Sequence, residues 1–226
     1  MGSAIIIFMR GDFGYSGKER AILSKLATPA KIQDYIDRLS YNLEEKGVTY
    51  HSPRMVMRLK KADCIEAAVF AAAALRFHGR PPLLIDLTAS RDDSDHVLAV
   101  FRQKGRWGAI GKSKYAFFTF REPVYRTLEE LALSYFDLYF NVRGKKTMRS
   151  FSSRPLDLSV FDKKGWMTTE KPVRYIATML DRIPHKKLLP KGVAATLRKV
   201  TKLDKEAGEI WIRRKGLLKR LRSKGY

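Results

Sequence analysis

Hydrophobic positions along this chain fall into distinct patterns, and each predicts a different element. Ile32, Tyr35, Ile36 and Leu39 recur at helical spacing behind Thr28, a good N-cap, and Pro29, which suits a first helical position. They predict an amphipathic helix over residues 29–40. Ser52 and Pro53 repeat the start signal and predict a short helix over 53–59 that delivers the chain to Cys64. From Ala62 to Gly79 the residues are apolar almost without a break, including the four alanines Ala71 to Ala74. A helix with no polar face must be buried on most sides, and here Gly79 followed by Pro81 and Pro82 stops it.

Three segments with strand character follow, at 83–87, 96–102 and 107–113, separated by a polar loop and by a tight turn at Lys104 and Gly105. Thr127 then caps a helix with Leu128, Leu131, Tyr135 and Leu138 on one face and Glu129 and Glu130 in its first turn, where they favour the helix dipole. A short apolar run at 4–9 predicts one more strand. Beyond Asn141 the periodicity weakens: 143–155 reads as a basic loop, with helices predicted at 173–180 and 192–203. Helices, then strands, then a helix predict α+β layering rather than βαβ alternation. A soft boundary near Ser150 divides a core (1–150) from a C-terminal extension (151–226) packed on it.

Charge changes this picture at one end. The 226 residues carry a formal net charge of +22, and residues 141–226 hold 24 of the 45 Lys and Arg but only 7 of the 23 Asp and Glu. A field of that sign attracts polyanions, so an acidic partner or nucleic acid is expected to meet residues 141–226. Phe161, Trp166, Tyr175 and Trp211 lie among those cations, the mixture of a nucleic-acid surface, although no named nucleic-acid motif is present. The alternative is a basic appendage packed by its aromatics onto the core. No apolar run approaches the ~18 residues of a membrane span. A single cysteine excludes an internal disulfide, which agrees with a cytoplasmic location.

That cysteine, Cys64, opens the buried helix, and His96 opens the second strand of the sheet. A helix N-terminus lowers a thiol pKa, and an adjacent imidazole acts as base and then acid, so the layout suits nucleophilic thiol chemistry. The structural alternative is that Cys64 is a small apolar filler. Asp92, Asp93 and Asp95 lack the glycine and distant glutamate of a calcium loop and read as a hairpin loop. His51, His78, His96 and His185 show no zinc spacing, and no metal or other cofactor is expected. Gly111, Lys112 and Ser113 resemble the tail of a phosphate-binding loop, but Arg106 stands where its first glycine belongs and no helix follows.

Residues from about 28 to 141 resemble the transglutaminase-like superfamily, whose core shares the Cys-His-Asp arrangement of papain-like thiol enzymes. The resemblance rests on Cys64 in the first turn of a buried helix ending in His78 and Gly79, a strand at 83–87, Asp95-His96-Val97 beginning the next, and Trp107 opening the one beyond. More narrowly, the segments 63–68, 92–101, 107–113 and 121–136 look like an uncharacterised bacterial branch of it. The resemblance implies a Cys-bearing helix packed on an antiparallel sheet, Cys64 as nucleophile, its backbone N–H as oxyanion donor, His96 as base, and a peptide or amide substrate that is hydrolysed or transferred. In the superfamily an acidic residue stands four positions after the tryptophan and orients the histidine; here that position is Gly111. Asp86, Glu66 and Ser113 are the candidate replacements, each with a structural reading beside it. The alternative to an enzyme is a catalytically degraded member that serves as a binding module.

Overall fold

The computed structural model describes residues 13–44, 47–210 and 212; the strand expected at 4–9 and the cationic run after residue 212 lie outside them. The elements in order are α1 (Gly17–Ser24), α2 (Pro29–Arg38), β1 (Ser40–Tyr41), α3 (Pro53–Leu59), β2 (Lys61–Ala62), α4 (Cys64–Phe77), β3 (Leu83–Ala89), β4 (His96–Gln103), β5 (Arg106–Ile110), β6 (Arg121–Tyr125), α5 (Leu128–Leu133), β7 (Met148–Ser152), β8 (Leu156–Asp157), α6 (Arg174–Arg182), β9 (His185–Lys187) and α7 (Lys202–Gly208). Together they form an α+β fold on an antiparallel sheet ordered β6-β5-β4-β3-β7-β9, with β8 also paired to β3.

The apolar helix α4 is buried as its composition requires, with Ala67 to Leu75 at 0–1 % exposure. It lies on β4 and β3, and α1, α2 and α3 cover its other sides. Phe70 fills the gap toward α2, stacking on Tyr35 with ring centroids 5.1 Å apart. The sheet therefore has two apolar faces. Leu84, Val97, Ala99 and Phe101 pack with α4, whereas Ile85, Leu87, Leu98 and Val100 pack with Leu131, Tyr135 and Tyr139 on the opposite side. Each face takes alternate residues of the same strands, as the pleat demands.

The start signals at Thr28 and Ser52 cap α2 and α3 by accepting hydrogen bonds from the Lys31 and Met55 N–H groups. The third strand ends at Ile110 rather than 113 because Lys112 turns inward. Its Nζ donates to the carbonyls of Ile36 (2.9 Å) and Leu39 (2.8 Å), satisfying the end of α2. The C-terminal expectations need more correction. The boundary placed near Ser150 falls inside β7, which pairs with β3 and carries β9, so 148–187 completes the sheet. Instead of a basic loop, 143–155 contains β7, whose neighbouring charges mask the buried pair Met148 and Phe151, 0 % and 2 % exposed. In place of a helix over 192–203 there is a single turn at Val193–Ala195, followed by α7. Phe161 and Trp166 are buried in the core and Tyr175 is half-buried, so these rings belong to packing rather than to a stacking surface; Trp211 lies outside the described residues. No helix among the described residues is long and apolar enough to cross a membrane.

Because α4 has no polar face to retreat to, truncation inside it leaves a cavity. Phe70→Ala is expected to lower the unfolding free energy by about 3–5 kcal/mol, measured by chemical denaturation. A loss below ~1 kcal/mol would mean that α4 is not the centre of the core.

Candidate active site

Cys64 owes its position to the capping of α4. Asp63 accepts the Glu66 N–H at 2.9 Å and Glu66 Oε2 accepts the Asp63 N–H at 3.1 Å, a capping box that fixes the first turn. The Glu66 carboxylate also accepts from Asn42 (3.0 Å), Thr49 (2.6 Å) and the His51 N–H (2.8 Å). It ties the 42–51 segment to α4 and is not turned toward His96. Cys64 is half-buried, and the backbone N–H of Val97, the residue after His96, is near enough to favour its thiolate. The helix start and the head of β4 therefore meet at the sulfur.

The electrostatics reverse the expectation for a helix N-terminus. Burial and the adjacent Asp63 carboxyl push the Cys64 thiol up to about 12, against the smaller opposing effects of the Val97 N–H and Lys114. The Glu66 N–H of the first turn donates to Asp63, whose carboxyl offsets the helix dipole at the sulfur. Burial likewise raises the Asp63 carboxyl itself, with Glu66 adding to the effect.

His96 sits on the other sheet face. Its ring packs edge-on against Phe118 at 4.8 Å, it is 6 % exposed, and its Nε2 has no hydrogen-bond partner. Burial, then the nearby Lys114, lower its pKa to about 3, while a hydrogen bond to the Phe118 backbone acts the other way. The resting imidazole is neutral. A Cβ added at Gly111 would lie 3.6 Å from His96 Nε2, but only 2.6 Å from Leu98 Cδ2. The position beside the ring where an orienting acid would stand is therefore filled by a leucine methyl. Gln33 holds the Gly111 backbone instead, donating to its carbonyl at 2.8 Å and accepting its N–H at 3.1 Å.

Neither of the other proposed substitutes reaches the ring. Asp86 pairs across the ladder with Val97, whereas His96 pairs with Leu87, so Asp86 points to the opposite face. Its Oδ2 lies 3.5 Å from His185 Nε2. Burial raises the Asp86 carboxyl, and Asp86 in turn raises His185. Ser113 Oγ accepts the Tyr115 N–H at 2.9 Å and closes a local turn. It does line the cleft onto which Cys64 and His96 both open, a cavity of about 260 Å³.

The cleft walls come from loops whose role the sequence pattern did not reveal. Tyr139 donates from its hydroxyl to the Ser94 carbonyl at 2.6 Å, and Asn141 donates to Asp92 at 3.2 Å, so the 92–95 turn is fixed ahead of His96. Asp92 also pairs with Lys145 at 3.2 Å, and Asp93 accepts from Thr147. Lys114, Tyr115 and Phe118 project from a loop in which Phe117 has a φ of 67°. The Ala116 N–H donates to the Gly208 carbonyl at 2.8 Å, so α7 braces that wall. An aromatic run with Gly and Ser before it was the only signal for this loop. Compared with models of known protein families and with curated proteins, the chain matches none.

A neutral thiol and a neutral imidazole share the cleft, an arrangement that supports nucleophilic attack only when the proton moves as the bond forms. The His96 carbon-bound ring protons should show no titration by NMR between pH 8 and pH 5; a normal curve centred near ~6.5 would contradict the burial argument. The depressed value also fixes a sign. Stability contributed by neutral His96 is present above its unfolded pKa and is lost as pH falls from ~6.5 toward 3. His96→Gln should therefore lose less Tm than the parent chain between pH 7 and pH 4.

Proposed function

We propose that this chain is a thiol-dependent amide hydrolase or acyltransferase of the transglutaminase-like, papain-like class, with Cys64 as nucleophile and His96 as base. The observation that carries this reading is the meeting of the two element heads: the first residue of α4 and the first residue of β4 open onto one cleft. The reaction begins as Sγ attacks the acyl carbon while its proton passes to the His96 ring, which avoids a resting ion pair in a dry site. The developing oxyanion is served by backbone N–H groups at the start of α4, with Cys64 the natural donor. Collapse breaks the C–N bond, the departing amine takes the proton from His96, and the thioester is released by water or by another amine.

Because burial disfavours both charged forms, the rate in the resting chain should be low and should climb on the alkaline side of neutrality rather than level off near the ~8.5 of a free thiol. A second reading, that of a catalytically silent binding module, is favoured by Gly111 and by the Leu98 methyl beside the imidazole.

Acylation by an uncharged activated ester separates the two. Mass spectrometry should find the acyl group on Cys64, and His96→Ala should slow its attachment by about 10²-fold or more, the usual span for a general base. Equal rates in both chains would leave only the binding reading. A complementary gain of function is expected from Leu98→Ala combined with Gly111→Asp, which clears the methyl and places a carboxylate against the ring. The pair should raise the His96 pKa and quicken acylation.

A further inference from the structure

The cleft is lined mainly by acidic side chains in a strongly basic protein. In a chain of net +22, the cavity holding Cys64 and His96 is lined by the carboxyl groups of Glu44, Asp63, Asp93 and Asp95, with Lys114 as its one cationic lining residue among those described. Several of these carboxyls are held by the backbone independently of any ligand. Glu44 Oε1 accepts the Thr49 N–H at 2.9 Å, Asp95 Oδ1 accepts the Ala89 N–H at 2.7 Å, and Asp63 caps α4. For Glu44 and Asp95 the backbone bond occupies one carboxylate oxygen. Their charges are thus set in place before a substrate arrives.

Aromatic rings complete the lining. Tyr41, Tyr115, Phe118, Tyr139 and Phe140 border the same space, and rings combined with carboxylates are the chemistry that holds ammonium or guanidinium groups. Burial raises the Asp93 and Asp95 carboxyls, a cost that an entering cation would reverse. His96 lines the cleft as well, with its buried Nε2 left without a partner. At about 260 Å³ the cavity is smaller than the ~300–1,000 Å³ of sites that enclose a drug-sized ligand, a size suited to one side chain and the adjoining backbone.

We propose that the cleft receives the cationic side chain of a Lys or Arg residue, so that the peptide presented to Cys64 is a basic one. This inference rests on the reading of the cleft as the substrate site and adds the class of substrate. It also runs against the field of the whole molecule, which by itself favours acidic peptides. That opposition makes the test sharp.

The test uses the full chain carrying Cys64→Ala, so that binding is measured without turnover, and end-capped fluorescent hexapeptides that differ at one position, read by anisotropy at about 0.15 M salt. The Arg and Lys peptides should bind about tenfold tighter than the Gln peptide, and the Glu peptide should bind no better than Gln. Glu44→Gln with Asp95→Asn keeps the acceptors for Thr49 and Ala89 and should remove that preference, with Asp95→Asn alone removing part of it. Glu170→Gln, on a carboxylate paired with Arg58 at the surface, should change nothing. Unchanged thermal unfolding would show that the amide variants fold. A Glu peptide that binds as tightly as the Arg peptide, or an Arg peptide whose affinity survives the double amide change, overturns the proposal. Basic preference in a chain whose Cys64 resists acylation would keep this site and remove the enzymatic reading, whereas acylation without basic preference would remove this proposal alone.

Discussion

The fold depends on one helix that cannot touch water. Nine consecutive residues of α4, from Ala67 to Leu75, are essentially inaccessible, and their small side chains let β3, β4 and the first three helices approach closely. Burial of that kind is contributed by many small dispersion contacts and tolerates little change in volume. It also decides where the chemistry sits. An apolar helix sealed along its length can expose functional groups only at its ends, and the N-terminal end carries Cys64 to the rim of the sheet.

The same burial sets the terms of the chemistry. A desolvated thiol and a desolvated imidazole each prefer the neutral form, which is why Cys64 moves up and His96 moves down. Catalytic thiol–imidazole pairs ordinarily offset desolvation with a partner charge next to the imidazole. In this chain that space holds Leu98, and the carboxylates that do line the cleft are bound to backbone N–H groups and serve the loops first. The ionisable pair of buried Asp86 with half-buried His185 is complementary in itself and links β3 and β9. Charge compensation is thus present in the fold but distributed away from the histidine.

Helices with strong local signals were legible. Thr28-Pro29 and Ser52-Pro53 state a cap and a first residue in two positions, and both helices begin there because the side-chain oxygen and the fixed proline φ act within a single turn. The strand over 148–152 was not legible, since its membership in the sheet depends on pairing with residues about 60 positions earlier. Arg149 and two serines conceal its two buried apolar residues. Basic content in 151–187 likewise suggested an appendage, although Trp166, Met167 and Ile176 belong to the central core. Charge reports what a segment shows to solvent and says little about what it turns inward.

Sequence alone determined that α4 is buried, that its first turn holds the only thiol, that an imidazole begins a nearby strand, and that position 111 has no side chain to orient it. Each of these is local: a composition, a cap or a missing Cβ. Tertiary structure decided which groups face each other. Ladder register turned Asp86 away from His96, the Asn42, Thr49 and His51 donors claimed Glu66, and five separate segments brought carboxylates and rings around the cleft. Those outcomes come from strand pairing and loop closure across long stretches of chain, and no window of sequence contains them.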